Sequence, residues 1–465
     1  MGLCQQYFSL PEISNIRSGN IAVPSYILNV MPRFRETLAW TAIIGASLIP
    51  VIIWLSLDPL RFRFATPSVT ATSVGQLSGL VGMVLFATSL ILSARIPLFD
   101  RWFGGINRAY IIHHQIGAIS LVLLLIHPLS LAVTRIFESW AAAAFFLLPG
   151  SDWTINFGIS ALLILISLLV ITLYIDLPYE LWRFTHKYLG VAFAFAILHT
   201  YFIPSDVSRN LILRIYMLTI TGLALTAYMY RTVLGRFFVP RLRYNVKEVR
   251  HLTANVFELL LVPSGSRNLN FIPGQFVFMS LSGRSMKHET HPFSISSAPD
   301  PNGFILTVKA LGDYSAWLSG VNPTTEVLIE GPYGRFSYLY EENSSYLWIA
   351  GGIGITPFVS MARSVSTTGS AVIDLFYCVR DPSEAVYSDE LNNIASQNPK
   401  FHVYLWCSKQ SGRLSADAIA RTCGDIHDKE AYICGPPAMM MDMRKQLRRL
   451  NLPAKQIHTE EFTML

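Results

Sequence analysis

Residues 111–133 read IIHHQIGAISLVLLLIHPLSLAV, and residues 185–203 read THKYLGVAFAFAILHTYFI. Each apolar stretch carries two histidines: His113 and His127 in the first, 14 residues apart, and His186 and His199 in the second, 13 apart. The stretches also share a local pattern, His113-His114-Gln115-Ile116-Gly117 against His186-Lys187-Tyr188-Leu189-Gly190. At about 1.5 Å rise per residue, either spacing sets two rings roughly 20 Å apart along a helix axis. Two such helices side by side offer two His–His pairs at two depths of a bilayer. That arrangement suits two haems, each iron held by two imidazoles. The plain alternative is a set of hydrogen-bonded core histidines. Ionisable groups in membrane segments are costly, and four in matched pairs are harder to assign to packing alone. One detail fits poorly: at about 100° per residue, 14 residues nearly return to one helix face, whereas 13 leave a large offset. A π-bulge or a tangential ring approach is expected to absorb it.

The composition agrees with a membrane segment. Of 465 residues, 52% are hydrophobic and only 14% charged. The length allows two or three domains. The net charge of +6 is modest, and the arginines flank apolar runs, which speaks for membrane topology and against nucleic-acid binding. Five cysteines (Cys4, Cys378, Cys407, Cys423 and Cys434) form no CxxC pair and fit a reducing cytoplasmic side. No cleavable signal peptide is evident, because the first apolar run starts only near Leu38.

Six spans are expected, at residues 38–57, 71–94, 111–133, 157–175, 185–203 and 211–230, preceded by a cytoplasmic or interfacial segment, 1–37. The fifth is short for a span. Residues 141–148 are too few to cross and read as interfacial. Arg33 and Arg35, then Arg95, Arg101 and Arg108, then Arg183 and Lys187, then Arg231, Arg236, Arg241 and Arg243 fall on one side of six spans. The positive-inside rule puts that side and both termini in the cytoplasm, although Arg61, Arg63, Arg135 and Arg209 blur the contrast. His113 and His186 then form an inner pair, and His127 and His199 an outer one. His114 competes with His113; the match of Gly117 to Gly190 favours His113.

After Pro240 the texture changes to alternating strands at 242–249, 256–262, 276–281, 304–309 and 326–330, a small antiparallel barrel. From Ser345 the pattern is strand, glycine turn, helix, with further strands at 372–378, 402–406 and 431–434: a parallel sheet with helices on both faces. Nucleotides bind such sheets beyond the strand C-termini. Three motifs carry chemistry. In His291-Pro292-Phe293-Ser294-Ile295-Ser296-Ser297, one extended strand offers an aromatic to stack on a flavin and hydroxyls to bind its edge and phosphates. The alternative is an ordinary serine-rich strand end. Lys309 and the turn Gly312-Asp313-Tyr314-Ser315 supply a cation and N–H groups for a pyrophosphate. In Gly351-Gly352-Ile353-Gly354-Ile355-Thr356-Pro357, glycines let the backbone approach a dinucleotide, Thr356 suits a helix cap and Pro357 the first turn. Arg380 and Arg413 are candidates for a 2′-phosphate, favouring NADPH with NADH possible, against a reading as solvated surface arginines. Cys434-Gly435-Pro436 ends a strand. Its thiol is placed either near a nicotinamide or simply buried in a tight turn.

Together these residues resemble the ferric reductase/NADPH oxidase family of transmembrane flavocytochromes b, over nearly the whole chain from about residue 38. The resemblance implies a six-helix transmembrane di-haem domain (38–235), an FAD-binding β-barrel domain (236–340) and an NAD(P)H-binding α/β domain (341–465), the last two like ferredoxin–NADP reductase. It implies two haem b groups held by the four histidines, and electrons passing from cytoplasmic NADPH through FAD and the haems to an acceptor outside. That acceptor is O2, giving superoxide, or ferric iron. Membrane lipid is then the surroundings, no nucleic acid is involved, and protein partners stay open. In the family an aromatic near the C-terminus covers the flavin; here Phe462 is followed by Thr463, Met464 and Leu465. The animal oxidases have a histidine one turn after the outer ligand and an arginine in span two. Here position 131 is Leu131, and residues 71–94 contain no arginine. The alternatives are a cytochrome subunit or redox sensor with a vestigial dehydrogenase, and a flavin reductase merely anchored by helices.

Overall fold

The computed structural model describes residues 32–103, 105–281, 289–341, 343–365 and 371–460. Phe462 and residues 1–31 of the expected N-terminal segment lie outside them. The membrane half consists of α1 (Pro32–Leu57), α2 (Pro67–Ser93), α3 (Ile106–Ile136), α4 (Trp153–Tyr174), α5 (Tyr179–His186), α6 (Leu189–Phe202) and α7 (Leu211–Tyr228). Five of these, α1 to α4 and α7, are long and apolar enough to cross a membrane. Residues 140–146 form a separate seven-residue helix.

The stretch expected as one fifth span is broken. His186 ends α5, and α6 starts at Leu189. Between them the backbone bonds run from residue i to i−3: Lys187 N–H to Phe184 O, Tyr188 to Thr185, Gly190 to Lys187 and Val191 to Tyr188, all 2.9–3.2 Å. Such 3₁₀ turns rotate the chain by about 120° per residue. Over-winding therefore makes up part of the rotation that 13 residues lack. A π-bulge would turn the chain the other way, so the expectation of one here is corrected. The π-helical turn lies instead at Met229–Val233, after α7.

The small residues of α2 let α3 approach closely. A Cβ on Gly75 would meet the Leu131 side chain at 3.0 Å, and one on Gly82 would meet Leu124 at 3.1 Å. Close approach through glycine is the usual packing device where lipid removes the hydrophobic drive.

The soluble half holds two sheets. β1 (Leu242–Thr253), β2 (Val256–Pro263), β3 (Phe276–Leu281), β4 (His291–Ser294), β5 (Phe304–Lys309) and β6 (Glu326–Tyr333) form an antiparallel sheet in the order β4-β3-β6-β1-β2-β5. A bridge between Ile295 and Leu306 joins its two edges. Val277, Met279, Leu259, Leu306 and Ile295 fill its interior. The short helix α8 (Asp313–Leu318) follows β5.

The second sheet is parallel: β7 (Ser345–Gly351), β8 (Val372–Val379), β9 (Phe401–Cys407), β10 (Glu430–Cys434) and β11 (Ile457–Glu460), in the order β11-β10-β7-β8-β9. β7 is apolar at successive positions because both its faces are buried. Tyr346, Trp348 and Ala350 pack on α9 (Thr356–Ala362) and α10 (Ser388–Gln397), whereas Leu347 and Ile349 pack on α11 (Ala416–Cys423) and α12 (Pro437–Arg449). β11, four residues long, was not expected from the sequence.

Candidate functional site

The four histidines converge as two pairs. The ring centroids of His113 and His186 are 6.3 Å apart, and so are those of His127 and His199, with planes at 70° and 67°. An imidazole–metal bond of about 2.0–2.1 Å plus roughly 1.1 Å from nitrogen to ring centre would put two imidazoles that share one ion between them roughly 6.3 Å apart. His127 Nδ1 donates to Gly75 O, His199 Nδ1 to Thr154 O and His113 Nδ1 to Ser89 O, each at 2.8 Å. A carbonyl oxygen only accepts, so Nδ1 carries the proton in these three rings and Nε2 keeps its lone pair for a metal. His186 has no such bond; its ring stacks on Trp182, 5.1 Å between centroids. His113 rather than His114 joins the pair, and His114 is exposed. Gly117 meets only Ser89 Oγ, at 3.4 Å from a built Cβ, whereas Gly190 lies under the Tyr228 ring, which leaves no room for a side chain. The donor set would fit two haem irons, one for each pair. Among the described residues, no cluster of three or more His, Cys, Asp or Glu side chains offers another metal site.

Two residues in this site escaped sequence reading. A Cβ on Gly79 would come within 2.7 Å of the His127 ring, and one on Gly158 within 2.9 Å of the His199 ring. Glycines inside the apolar spans were the available signal, one of three in α2 and the single one in α4, but which helix faced them was not legible.

In the antiparallel sheet, His291, Pro292 and Ser294 lie on β4, paired with Met279, Phe278 and Phe276 of β3. Phe293 is half-buried and leans on the sheet interior. Tyr314 lies over His291 at 4.1 Å between centroids with the planes tilted by 31°, and its buried hydroxyl has no hydrogen-bond partner among the described residues. Burial, then the nearby Glu289, pushes that phenol well above its ordinary pKa, so it stays a donor. This orphan donor is what a phosphate or ribose group of a bound dinucleotide would satisfy, and the residues fit FAD on that ground. Lys309 ends β5 half-buried.

Other expected flavin contacts are already occupied. Ser315 Oγ accepts from the Leu311 and Gly312 N–H groups at 2.9 and 3.0 Å, so these two amides are not open to a pyrophosphate. Ser296 is fully buried, with Thr307 Oγ1 2.7 Å from its hydroxyl. Ser297 Oγ accepts from Ile305 N–H, and its carbonyl accepts from Ser360 Oγ at 2.7 Å. Arg363 forks onto Glu390 at 2.6 and 2.8 Å and donates to Ser296 O at 2.9 Å. Tyr387 Oη donates to the buried Glu258 at 2.6 Å. Ser296 and Ser297 thus lock the two sheets together.

At the C-terminal edge of the parallel sheet, the loops after β7 and β10 touch through glycine. A Cβ on Gly354 would lie 2.5 Å from Cys434 O and 2.8 Å from Gly435 Cα, and one on Gly435 would lie 3.0 Å from Gly351 Cα. Gly352 has φ +55°, in the left-handed region open to glycine. Thr356 does not cap by its side chain: it begins α9, and its hydroxyl donates back to Ile353 O at 3.1 Å because the preceding 3₁₀ turn puts that carbonyl in reach. Pro357 takes the first turn as expected. Cys434 is completely buried, and burial followed by Glu460 raises its thiol well above the ordinary range. Pro436 precedes α12. Arg380 and Arg413 are exposed on adjoining loops, joined by Lys409 N–H to Arg380 O at 3.3 Å. The backbone cradle fits a dinucleotide.

Three family profiles match in series: a ferric reductase like transmembrane component at 78–197, an FAD-binding domain at 241–337 and an oxidoreductase NAD-binding domain at 348–445. Among curated proteins, the ferredoxin reductase component of 3-ketosteroid-9-alpha-monooxygenase from Mycobacterium tuberculosis is 30% identical over 216 residues, 44% of this chain and 60% of that protein. The reductase subunit of glycine betaine monooxygenase from Chromohalobacter salexigens is 28% identical over 209 residues, 41% of this chain and 56% of that one. The chain thus spans less than two thirds of either relative. Among solved structures, flavohemoglobin from Malassezia yamatoensis aligns at 17% identity with a TM-score of 0.49, covering 84% of this chain and 98% of that one. With a ferric reductase like transmembrane component ahead of FAD- and NAD-binding oxidoreductase domains, and five helices long and apolar enough to cross a membrane, the chain matches part by part the ferric reductase/NADPH oxidase-like flavocytochromes.

Proposed function

We propose that the chain carries electrons from cytoplasmic NADPH, through FAD and two b-type haems, to an acceptor on the far side of the membrane: O2, giving superoxide, or ferric iron. FAD accepts a hydride and releases its two electrons singly, as a haem requires. The observation that carries the reading is the pair of histidine pairs at 6.3 Å, three of whose four rings have Nδ1 tied to a backbone carbonyl.

The chain's own residues supply position and tautomer. His113 and His186 would hold the inner haem, and His127 and His199 the outer. Two imidazoles would be committed to each haem, and an acceptor would then be reduced at the edge of the outer group. Tyr314 would hold the FAD, with His291 beside it. The Gly351, Gly354 and Gly435 backbone would admit the nicotinamide nucleotide, with Arg380 and Arg413 free to meet a 2′-phosphate. Six crossings are proposed, the fifth being α5 and α6 together. Alone, α6 is about 21 Å long, short of a hydrocarbon core of about 30 Å. Six crossings put both termini on the cytoplasmic side.

The test is the purified full chain in lipid nanodiscs. The expected result is a reduced-minus-oxidised spectrum of bis-imidazole haem, close to two haems per flavin, with NADPH bleaching the flavin before the haem bands rise. A flavin that bleaches in a preparation devoid of haem would leave only an anchored flavin reductase.

A further inference from the structure

Arg95 sits at the seam between the membrane helices and the antiparallel sheet. It directly follows Ala94, the C-cap of α2, and its φ of 54° lies in the left-handed region. Gly or Asn commonly takes that place after a helix; here a long cation takes it. Arg95 Nε donates to Tyr110 Oη, and the guanidinium carbon lies 3.9 Å from the ring centre of Phe278 and 5.6 Å from that of Tyr110. Tyr110 is on α3, one turn before His113, and the two rings meet edge to face at 6.3 Å. Phe278 is on β3, opposite Pro292 of the candidate flavin strand. One side chain therefore touches both the neighbour of the inner histidine pair and the partner of that strand.

The rest of the seam is built around it. Phe276, Phe278, Tyr333 and Ile106 form a buried apolar cluster with Tyr110 packed against it. Buried Glu330 accepts from Arg231 at 2.8 Å and from Tyr333 Oη at 2.9 Å. The first of these bonds ties β6 to the π-helical turn that follows the last membrane helix. Among the described residues, no carboxylate lies within ion-pair distance of Arg95. Its guanidinium is held by an aromatic face and a phenol oxygen instead. A planar guanidinium can stack flat on one ring while its edge N–H reaches another group; an ammonium cannot do both.

We propose that Arg95 is a positioning residue for electron delivery, clamping Phe278 of the flavin sheet to Tyr110 of α3 and so setting the gap between the flavin and the His113–His186 pair. The inference rests on reading that pair as the inner haem site. The step it governs is the passage of single electrons from the sheet side to the membrane side, not hydride transfer from the nucleotide.

The full chain in nanodiscs is mixed with NADPH in a stopped-flow spectrometer, and flavin bleaching and haem reduction are followed separately. Arg95→Gln and Arg95→Lys are each expected to leave flavin bleaching at its usual rate and to slow haem reduction at least ten-fold. Phe278→Leu, which alters no charge and lies outside the membrane, is expected to slow the same step. Amide hydrogen exchange at residues 276–279 and 106–112 should rise in Arg95→Gln and Phe278→Leu. Haem reduction at the wild-type rate in Arg95→Gln or Phe278→Leu, with unchanged exchange, overturns the proposal. Arg95→Lys at the wild-type rate overturns it too, since charge alone would then suffice. If the arginine variants do not fold, Phe278→Leu decides. A wild-type chain with no bis-imidazole spectrum would remove the underlying haem reading; a normal spectrum with unslowed haem reduction removes only the role of Arg95.

Discussion

A methyl group on Gly79 would lie 2.7 Å from Nδ1 of His127, the same atom that donates to Gly75 O at 2.8 Å. The ring cannot yield to a larger residue without losing that hydrogen bond. Gly79→Ala should therefore tilt His127 and weaken haem binding at the outer pair by about ten-fold or more, the usual effect of disturbing a ligand's orienting shell. Gly158→Ala should do the same through His199. Gly45, with nothing within 4 Å of a built Cβ, is the control. Haem content after titration with hemin reads the difference, and equal content in all three variants would contradict the packing argument.

His199→Ala removes one outer ligand and leaves the inner pair intact. NADPH-driven flavin reduction should continue, while reduction of an external ferric chelate or of O2 should fall to background. Comparing superoxide-dismutase-sensitive cytochrome c reduction with chelate reduction in one preparation also identifies the acceptor. Outer reduction that survives in this variant would sink the proposed route.

Three thiols in and beside the parallel sheet are held protonated. Burial pushes both Cys378 and, with help from Asp374, Cys423 up to about 12, and burial also raises Cys434 well above the ordinary range. Thiolate is the reactive form. At pH 8, iodoacetamide should label these three slowly in the native chain and fully after denaturation. The folded pKa values are raised, so their stabilisation is complete below the unfolded value of about 8.5 and is lost as pH rises toward 12. A melting temperature that did not fall between pH 9 and pH 11 would contradict this sign.

Arg363→Ala should loosen the two sheets from each other. It removes the fork on Glu390 and the donor to Ser296 O, while the buried Glu258 keeps its ion pair with Arg250. Losing these charge-assisted hydrogen bonds, one partner being partly exposed, costs about 1.5 kcal/mol. Thermal unfolding followed by release of bound flavin should show the loss, with Arg363→Lys recovering only part of it.

Gly354→Ala should abolish nucleotide binding before it abolishes flavin binding. The added carbon would overlap the carbonyl of Cys434 and the Cα of Gly435, backbone atoms that have no rotamer to adopt. The measurement is the KM for NADPH beside flavin content in the same sample. A normal KM would mean that the two loops do not form the cradle.

Five of the six expected membrane segments, the change at Pro240 and the two kinds of sheet were legible because each follows from local periodicity: apolar runs, alternation, and strand–glycine–helix. So was the pairing of the histidines, since their spacing along each helix is a one-dimensional quantity. The serines of the 291–297 strand were not legible. Ser294, Ser296 and Ser297 look alike in sequence, yet the second is sealed behind Thr307 and the third is turned to Ile305 and Ser360. Thr356 was read as a cap, but the 3₁₀ turn before it directs its hydroxyl backward. β11 is too short to carry a pattern, and its place beside β10 depends on a parallel register that only the folded sheet supplies.

What the sequence determined by itself is the inventory: four histidines at 14 and 13 residues, a hydroxyl-rich strand, glycine turns and an arginine after α2. What only tertiary structure decided is which atoms meet. The 13-residue spacing works because the helix breaks and over-winds at Lys187 and Tyr188, under a Tyr228 ring that Gly190 alone admits. Gly79 and Gly158 matter because α2 and α4 pass within a methyl's width of the imidazoles, and Arg95 because β3 comes down on α3. Distances between helices and sheets are set by the shapes of packed side chains from remote parts of the chain, and no local pattern encodes them.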